Sequence, residues 1–285
     1  MTIKRVSIGG GRTMAVHLTG GAGTARTEAP PAAASSDVLL LHGIPGSGLV
    51  WRRVAEGLAE NHRVLAPDLL GFGESSRPST VNELWAQSQT AAVAQMLDVL
   101  GSRHVHVVGH DFGGTIAVLL ARRVPRRVAS LTIAATNAFT DTPIPFPLSG
   151  VLPPVIGGLW SRMLFSRPSL HFMVRTGMGE PRPEDVDSGI YVGDRGQVRT
   201  IRFIFTAALR EIRDRYAPIE EALRDCPVPS AVLWGTRDPF FDISQGERTV
   251  ALMGNARWIP LDGAGHFLPE ERPDAVVDAV RTFAE

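Results

Sequence analysis

A chain of 285 residues, 44% hydrophobic and 20% charged, has ample material for a buried core. Its 29 cationic and 29 anionic residues cancel to a formal net charge of zero and no basic stripe stands out, which argues against nucleic acid as a partner. Cys226 is the only cysteine, so an intrachain disulfide and a multi-cysteine metal site are excluded. The opening "MTIKRVSIGGGRTMAVHL" lacks the apolar run of a signal peptide, and no stretch reaches the roughly eighteen apolar residues of a spanning helix. A cytoplasmic protein with no membrane partner is the expectation; oligomeric state is not legible.

Taken in order, residues 2–8 and 13–18 read as two strands of a hairpin turned by "GGGR". "TGGAGTARTEAPPAAASSD" then reads as an exposed, mobile loop. From there strands and helices alternate. "DVLLLHG" is a buried strand, "GLVWRRVAEGLAE" an amphipathic helix, "HRVLAPD" a strand and "VNELWAQSQTAAVAQMLDVLG" a long helix. "HVHVVGHDFGGTIAVLLARR" is a strand, a turn and a helix, and "RRVASLTIAAT" is a further strand. Continuous apolar strands alternating with helices predict a mostly parallel sheet covered on both faces.

The alternation stops near Asn137 and resumes near residue 229. Between them, "RTIRFIFTAALREIRDRY" is helical, with Phe205, Leu209, Ile212 and Tyr216 recurring on one face. "PSAVLWGTRD" is then a strand, a helix lies near 243–253, "ARWIPLDGAGH" is a strand, and a last helix runs to Glu285. The simplest division is a core over 1–136 and 218–285, with a helical cap inserted at 137–217. Trp51, Trp234 and Trp258 read as core packing, and Asp68 as a bond to its own loop.

Ligands of an open parallel sheet sit beyond the carboxyl ends of its strands. Three reactive side chains fall just past such ends: Asp111 in Gly109-x-Asp-x-Gly113, Asp238 in "LWGTRDPF", and His266 in "DGAGHFLPEERPD". Their order is nucleophile, acid, histidine, and the glycine-flanked turn is similar to the nucleophile elbow with Asp in place of Ser. His42-Gly43-Ile44-Pro45 and the "DLLGFGES" segment add two further matches. On these four motifs the chain resembles the Asp-nucleophile branch of the α/β-hydrolases, which includes epoxide hydrolases and haloalkane dehalogenases. The resemblance covers about residue 37 to the C-terminus.

The resemblance implies an α/β-hydrolase fold and a covalent mechanism without cofactor or metal. A carboxylate is a poor catalyst for ester hydrolysis, but it displaces a leaving group from an sp³ carbon competently. Asp111 would form an alkyl ester, His266 would activate the water that hydrolyses it, and Asp238 would hold the imidazole. Backbone N–H groups of Ile44 and Phe112 would form the oxyanion hole. Some relatives carry the acid after the preceding strand, which here would be Asn137 or Asp141. His42 and His110 read as structural neighbours of the site.

The leaving group is the open question. Dehalogenases usually cradle the halide with a Trp after the nucleophile and an Asn in the His-Gly-x-Pro loop, where this chain has Phe112 and Ile44. Haloacetate dehalogenases place arginines after the nucleophile, and "FGGTIA" has none. Epoxide hydrolases use two cap tyrosines, and the only two tyrosines here, Tyr191 and Tyr216, both lie in the insertion. Trp160 stands where the first would be expected and Phe205 near the second; Trp160 and His171 are further candidate donors. Tyr216 also continues an apolar helical stripe and could pack in the cap. Phe139, Phe146, Leu148, Leu152, Leu159, Met163, Phe165 and Phe172 make the insertion apolar, which fits a hydrophobic small-molecule substrate or packing onto the core. The expected activity is opening an epoxide to a vicinal diol. The alternatives are dehalogenase-type hydrolysis and a relative that binds or isomerises a small molecule without covalent turnover.

Overall fold

The computed structural model describes residues 1–20, 36–142, 144, 146–153, 155–180 and 186–284. The loop expected between the second and third strands falls mainly on residues 21–35, outside the described residues.

Eight strands form one sheet: β1 (Thr2–Ser7), β2 (Thr13–Thr19), β3 (Asp37–Leu41), β4 (Val64–Pro67), β5 (Val105–His110), β6 (Val128–Ala134), β7 (Ser230–Gly235) and β8 (Arg257–Leu261). Their order is β1-β2-β4-β3-β5-β6-β7-β8, antiparallel at β1–β2–β4 and parallel from β4 onward. β3, β4, β5 and β7 are buried at every position. That is why they read as continuous apolar runs and not as alternating ones.

Alternate residues feed two cores. Leu39, Leu41, Val105, Val107, Ile133 and Trp234 face one side. There they meet Val93 and Leu97 of α2 (Ala86–Val99) and Ile116 and Leu120 of α3 (Phe112–Arg123). Val38, Leu40, Val108, Ala134 and Leu233 face the other side. They pack on Val54 and Leu58 of α1 (Arg52–Leu58) and Val276 and Val280 of α10 (Pro273–Ala284).

Between β6 and β7 the described residues contain helices and no strand: α4 (Gly157–Leu164), α5 (Arg167–Thr176), α6 (Ser188–Val192) and α7 (Arg195–Arg224). α7 kinks at Glu211 (φ −117°, ψ 15°) and carries Pro218 inside it. A proline is expected to end a helix. Here Ile219, Ala222 and Leu223 are buried in the core on the α2–α3 face, and the helix continues past residue 217. α8 (Ile243–Met253) and α9 (Leu268–Glu271) complete the set.

Three local readings needed adjustment. The helix expected over 81–101 is a 3-10 turn at Val81–Leu84 and then α2, because Trp85 takes an extended conformation (φ −70°, ψ 155°) as its ring goes into the interior. The helix expected over 48–60 likewise opens as a 3-10 turn at Gly48–Trp51 before α1. The last strand stops at Leu261, so the residues before His266 form turns.

Candidate active site

β5 delivers Asp111 to the carboxyl edge of the sheet. Asp111 has φ 53° and ψ −121°, a conformation that costs a non-glycine residue about 1–3 kcal/mol. It is held there by its own N–H on the Ala134 carbonyl (3.1 Å) and by its carbonyl accepting the Gly114 N–H (3.0 Å). The glycines are a packing requirement. A Cβ at Gly113 would run into the Leu41 carbonyl, and one at Gly109 into the Gly113 carbonyl. Asp111 is the N-cap residue of α3, a position where the helix dipole favours a negative charge.

One carboxylate oxygen of Asp111, Oδ1, accepts the Ile44 N–H at 2.7 Å, and the Phe112 N–H also stabilises the charge. The other, Oδ2, lies 3.8 Å from Nε2 of His266. Nδ1 of His266 bonds Oδ2 of Asp238 at 2.8 Å. Asp238 has no exposed side-chain surface, and its Oδ1 accepts the N–H groups of Phe240 (2.8 Å) and Phe241 (3.0 Å). The acid that reaches His266 is therefore Asp238. Asn137 accepts from Phe139 and Thr142 in its own turn, and Asp141 pairs with Arg248 at the surface.

Electrostatics follow from this layout. Burial pushes the Asp111 carboxyl above its ordinary value, offset in part by His266 and the two N–H groups. Burial alone would lower the His266 pKa, but the charge and hydrogen bond of Asp238, with Asp111 and Glu271 behind, bring it above 6.5. Across the 3.8 Å gap each group favours the charged form of the other.

The neighbouring histidines are structural. His42 is fully buried, which drops its pKa to about 4. Its Nε2 accepts the Leu69 N–H (3.0 Å), which leaves the proton on Nδ1 to be donated to the Gly43 carbonyl (2.8 Å). His110 is held neutral by burial, and its Nε2–H donates to the His266 carbonyl at 2.8 Å. Asp68 accepts from Gly48, Glu74 and His17, so it ties its own loop to the turn at Gly48 and to β2. Gly43 is a further constraint, since an added Cβ would sit 2.5 Å from Asp111 Cβ and 2.6 Å from its Oδ1. Gly43→Ala is therefore expected to cut turnover by about 100-fold through displacement of the carboxylate. Its cost in stability should be about 1–3 kcal/mol. Steady-state kinetics beside a thermal melt checks both.

The candidate donors of the insertion separate clearly. Tyr216 is half-buried; burial raises its phenol pKa, and it feels the Asp111 charge, which raises it further. Tyr191 does not. Its ring packs on Phe267 (4.9 Å), and the charges that bear on its phenol are those of Glu270, Arg52, Glu271 and Arg53. The Trp160 N–H is taken by the Pro147 carbonyl (2.9 Å), and His171 bonds Ser188 (2.8 Å). Trp160 and His171 thus spend their polar atoms on local partners, whereas the buried Tyr191 hydroxyl has no hydrogen-bond partner among the described residues.

Sequence reasoning passed over three supports of the site. Glu271 is buried, and it accepts the N–H groups of Gly179 (2.7 Å), Gly265 (2.7 Å) and Phe267 (2.9 Å), so it clamps both sides of His266 to the insertion. The signal was a second acidic residue in "HFLPEERPD", in a segment apolar enough to be buried. Gln197 accepts from Gly73 (2.9 Å) and donates to the carbonyls of Gly46 and Tyr191, joining α7 to the loop of Ile44. The rings of Phe240 and Phe241 pack on His266 at 5.1 and 5.3 Å and keep the imidazole dry. Nothing in their spacing announced those roles.

A nucleophile turn, a histidine after the last strand, an acid after the one before it and an inserted helical segment are shared by many hydrolases of this topology. Residues 38–279 match the family model described as "Alpha/beta hydrolase family". The chain belongs to that family. It is similar to the soluble epoxide hydrolase of a Corynebacterium species, 29% identical over 262 residues that cover 86% of this chain and 89% of the relative. Among solved structures it superimposes on the epoxide hydrolase CorEH with TM-score 0.75 at 23% identity, covering 99% of this chain and 98% of the other. The haloalkane dehalogenase DbeA of Bradyrhizobium elkani gives TM-score 0.79 at 20% identity, covering 99% and 97%. Both structural likenesses speak for the fold alone. As a family member the chain is a hydrolase.

Proposed function

We propose that this hydrolase works through a covalent alkyl ester on Asp111 and that its substrate is an epoxide of a hydrophobic small molecule, released as a vicinal diol. One observation carries the reading: the two oxygens of Asp111 have different partners. Oδ1 faces the Ile44 N–H, and Oδ2 faces His266. In a serine enzyme the backbone donors await a substrate carbonyl. Here the Ile44 donor already holds an oxygen of Asp111 itself. That arrangement suits an enzyme whose own ester is the carbonyl to be attacked.

The steps balance as follows. Oδ2 attacks an epoxide carbon, the carbon–oxygen bond breaks, and the Tyr216 phenol protonates the departing oxygen. Oδ1 becomes the ester carbonyl, still on its donors. Nε2 of His266 takes a proton from water, the hydroxide adds to Cγ of Asp111, and the oxyanion forms where the N–H groups already point. Collapse breaks the Cγ–Oδ2 bond, the leaving alkoxide takes the proton of the new carboxyl group to complete the diol, and the His266 proton returns to the Tyr216 phenolate. Ester formation also neutralises Asp111, one of the charges that raised the His266 pKa, so the imidazole becomes a readier base when the ester is in place. Each nucleophile, acid and base in the scheme is a group of the chain, and we read the insertion as the cap that encloses it.

An epoxide is favoured over a halide because neither the Ile44 nor the Phe112 side chain has an N–H to give a halide. The test is a turnover panel of apolar epoxides and alkyl halides, which is expected to yield diols and no released halide. Halide release with no diol formation would overturn the assignment. Tyr216→Phe should lower kcat/KM for the epoxide by roughly 100-fold, the scale of a lost general acid, with the melting temperature held. An unchanged value would remove Tyr216 from the mechanism.

A further inference from the structure

α4 packs Trp160 and Leu164 partly against the core, but it also carries apolar side chains on its outer face. Gly157 and Ser161 face the protein and are buried, while Leu159 and Met163 stand 75% and 57% exposed, and Ile156 at the cap is 63% exposed. These positions recur at the spacing of one helical face, so an apolar stripe of the helix points to solvent. Val155 just before it is 90% exposed, and Phe146 extends the patch by packing on Trp160 at 5.6 Å. On α5, Phe172 is 69% exposed. Scattered apolar side chains on a surface are ordinary, but Leu159 and Met163 exposed one turn apart, with Val155, Ile156 and Phe146 beside them, mark an interaction face.

The charges of this stretch of chain are of one sign. From Phe146 to Gly179 the sequence holds Arg162, Arg167 and Arg175 and no aspartate or glutamate. All three arginines are exposed, and Arg162 flanks the stripe on α4 itself. A second copy docked here about a twofold axis would set these arginines against their equivalents with no acid from the same stretch to pair them. An anionic lipid surface meets both demands, since headgroups pair the arginines and acyl chains receive the stripe.

We propose that α4 and its flanks form an interfacial docking face by which this hydrolase sits on anionic membranes. No helix among the described residues is long and apolar enough to cross a membrane, and docking of this kind needs none. It departs from the expectation of no membrane partner, which rested on the absence of a spanning run. A lipid surface is also where apolar substrates concentrate, but the proposal stands apart from the assigned reaction.

The test is co-sedimentation of the full chain with vesicles of phosphatidylcholine alone and of phosphatidylcholine with phosphatidylglycerol. Each arginine near an anionic surface strengthens partitioning roughly fivefold, so the mixed vesicles should pellet the protein at least about tenfold better, and high salt should abolish the difference. Leu159→Ser with Met163→Ser, both on exposed positions, should lose at least about tenfold in partitioning with an unchanged melting temperature. Wild-type protein that stays in the supernatant would overturn the proposal. So would a double variant that pellets equally well, or equal binding to both vesicle types. A dimer in solution that the double variant dissolves would assign the face to a second copy instead.

Discussion

Asp111→Asn is expected to reduce turnover by about 10⁴-fold or more while the protein remains folded. The carboxamide oxygen can still accept the Ile44 N–H, so the loop that carries Ile44 keeps its anchor. The backbone bonds that fix the turn, to Ala134 and from Gly114, do not involve the side chain at all. What disappears is the nucleophile, since an amide nitrogen cannot displace an epoxide oxygen. Losing a group that forms the covalent intermediate removes the whole pathway, not one contribution to it. Retention of more than a few per cent of activity would mean that water attacks the substrate directly.

His266→Gln should have an effect of similar size on steady-state turnover but with a different signature. Glutamine cannot take a proton from water, so ester hydrolysis should slow by about 10³- to 10⁴-fold while alkylation continues. The variant should give one equivalent of ring opening per active site and then stop. Its fold should hold, because the backbone N–H of residue 266 bonds the Gly177 carbonyl and its carbonyl accepts from His110. Wild-type enzyme should show the same block at low pH. Its imidazole is raised above 6.5, and only the neutral ring is a base. With Asp111 esterified, Asp238 and Glu271 still raise the imidazole, so hydrolysis is available above that ester-state value, which lies below the free enzyme's, and is lost as pH falls through it by about tenfold per unit. Acid-quenched samples should carry more ester the lower the reaction pH. Rapid-quench measurement of diol against protein-bound product checks both.

Much of this was legible in the chain because backbone constraints leave local marks. The elbow needs glycines at 109 and 113, where any side chain would strike a carbonyl, and the sequence shows them beside an aspartate. The strands were legible because their burial on both faces makes them continuously apolar. The insertion was the weak point. Tyr191 and Tyr216 look alike in sequence, both in an apolar insertion, and only the packing of α6 and α7 separates a phenol beside Glu270 from one that feels Asp111. Trp160 was a plausible donor until its N–H met the Pro147 carbonyl across a turn that no periodicity reveals. Glu271 escaped notice because its three partners are backbone groups, which a sequence does not advertise. Local geometry writes itself into residue types, whereas long-range side-chain partners do not.

The covalent ester is tested most directly by a single turnover in heavy-oxygen water, with enzyme in excess over an epoxide it opens. The oxygen added to the first diol then comes from the Asp111 carboxylate, so that diol should be unlabelled. The peptide bearing Asp111 should gain one heavy oxygen. A labelled first diol with an unlabelled Asp111 would contradict the account and leave the carboxylate as a base that activates water.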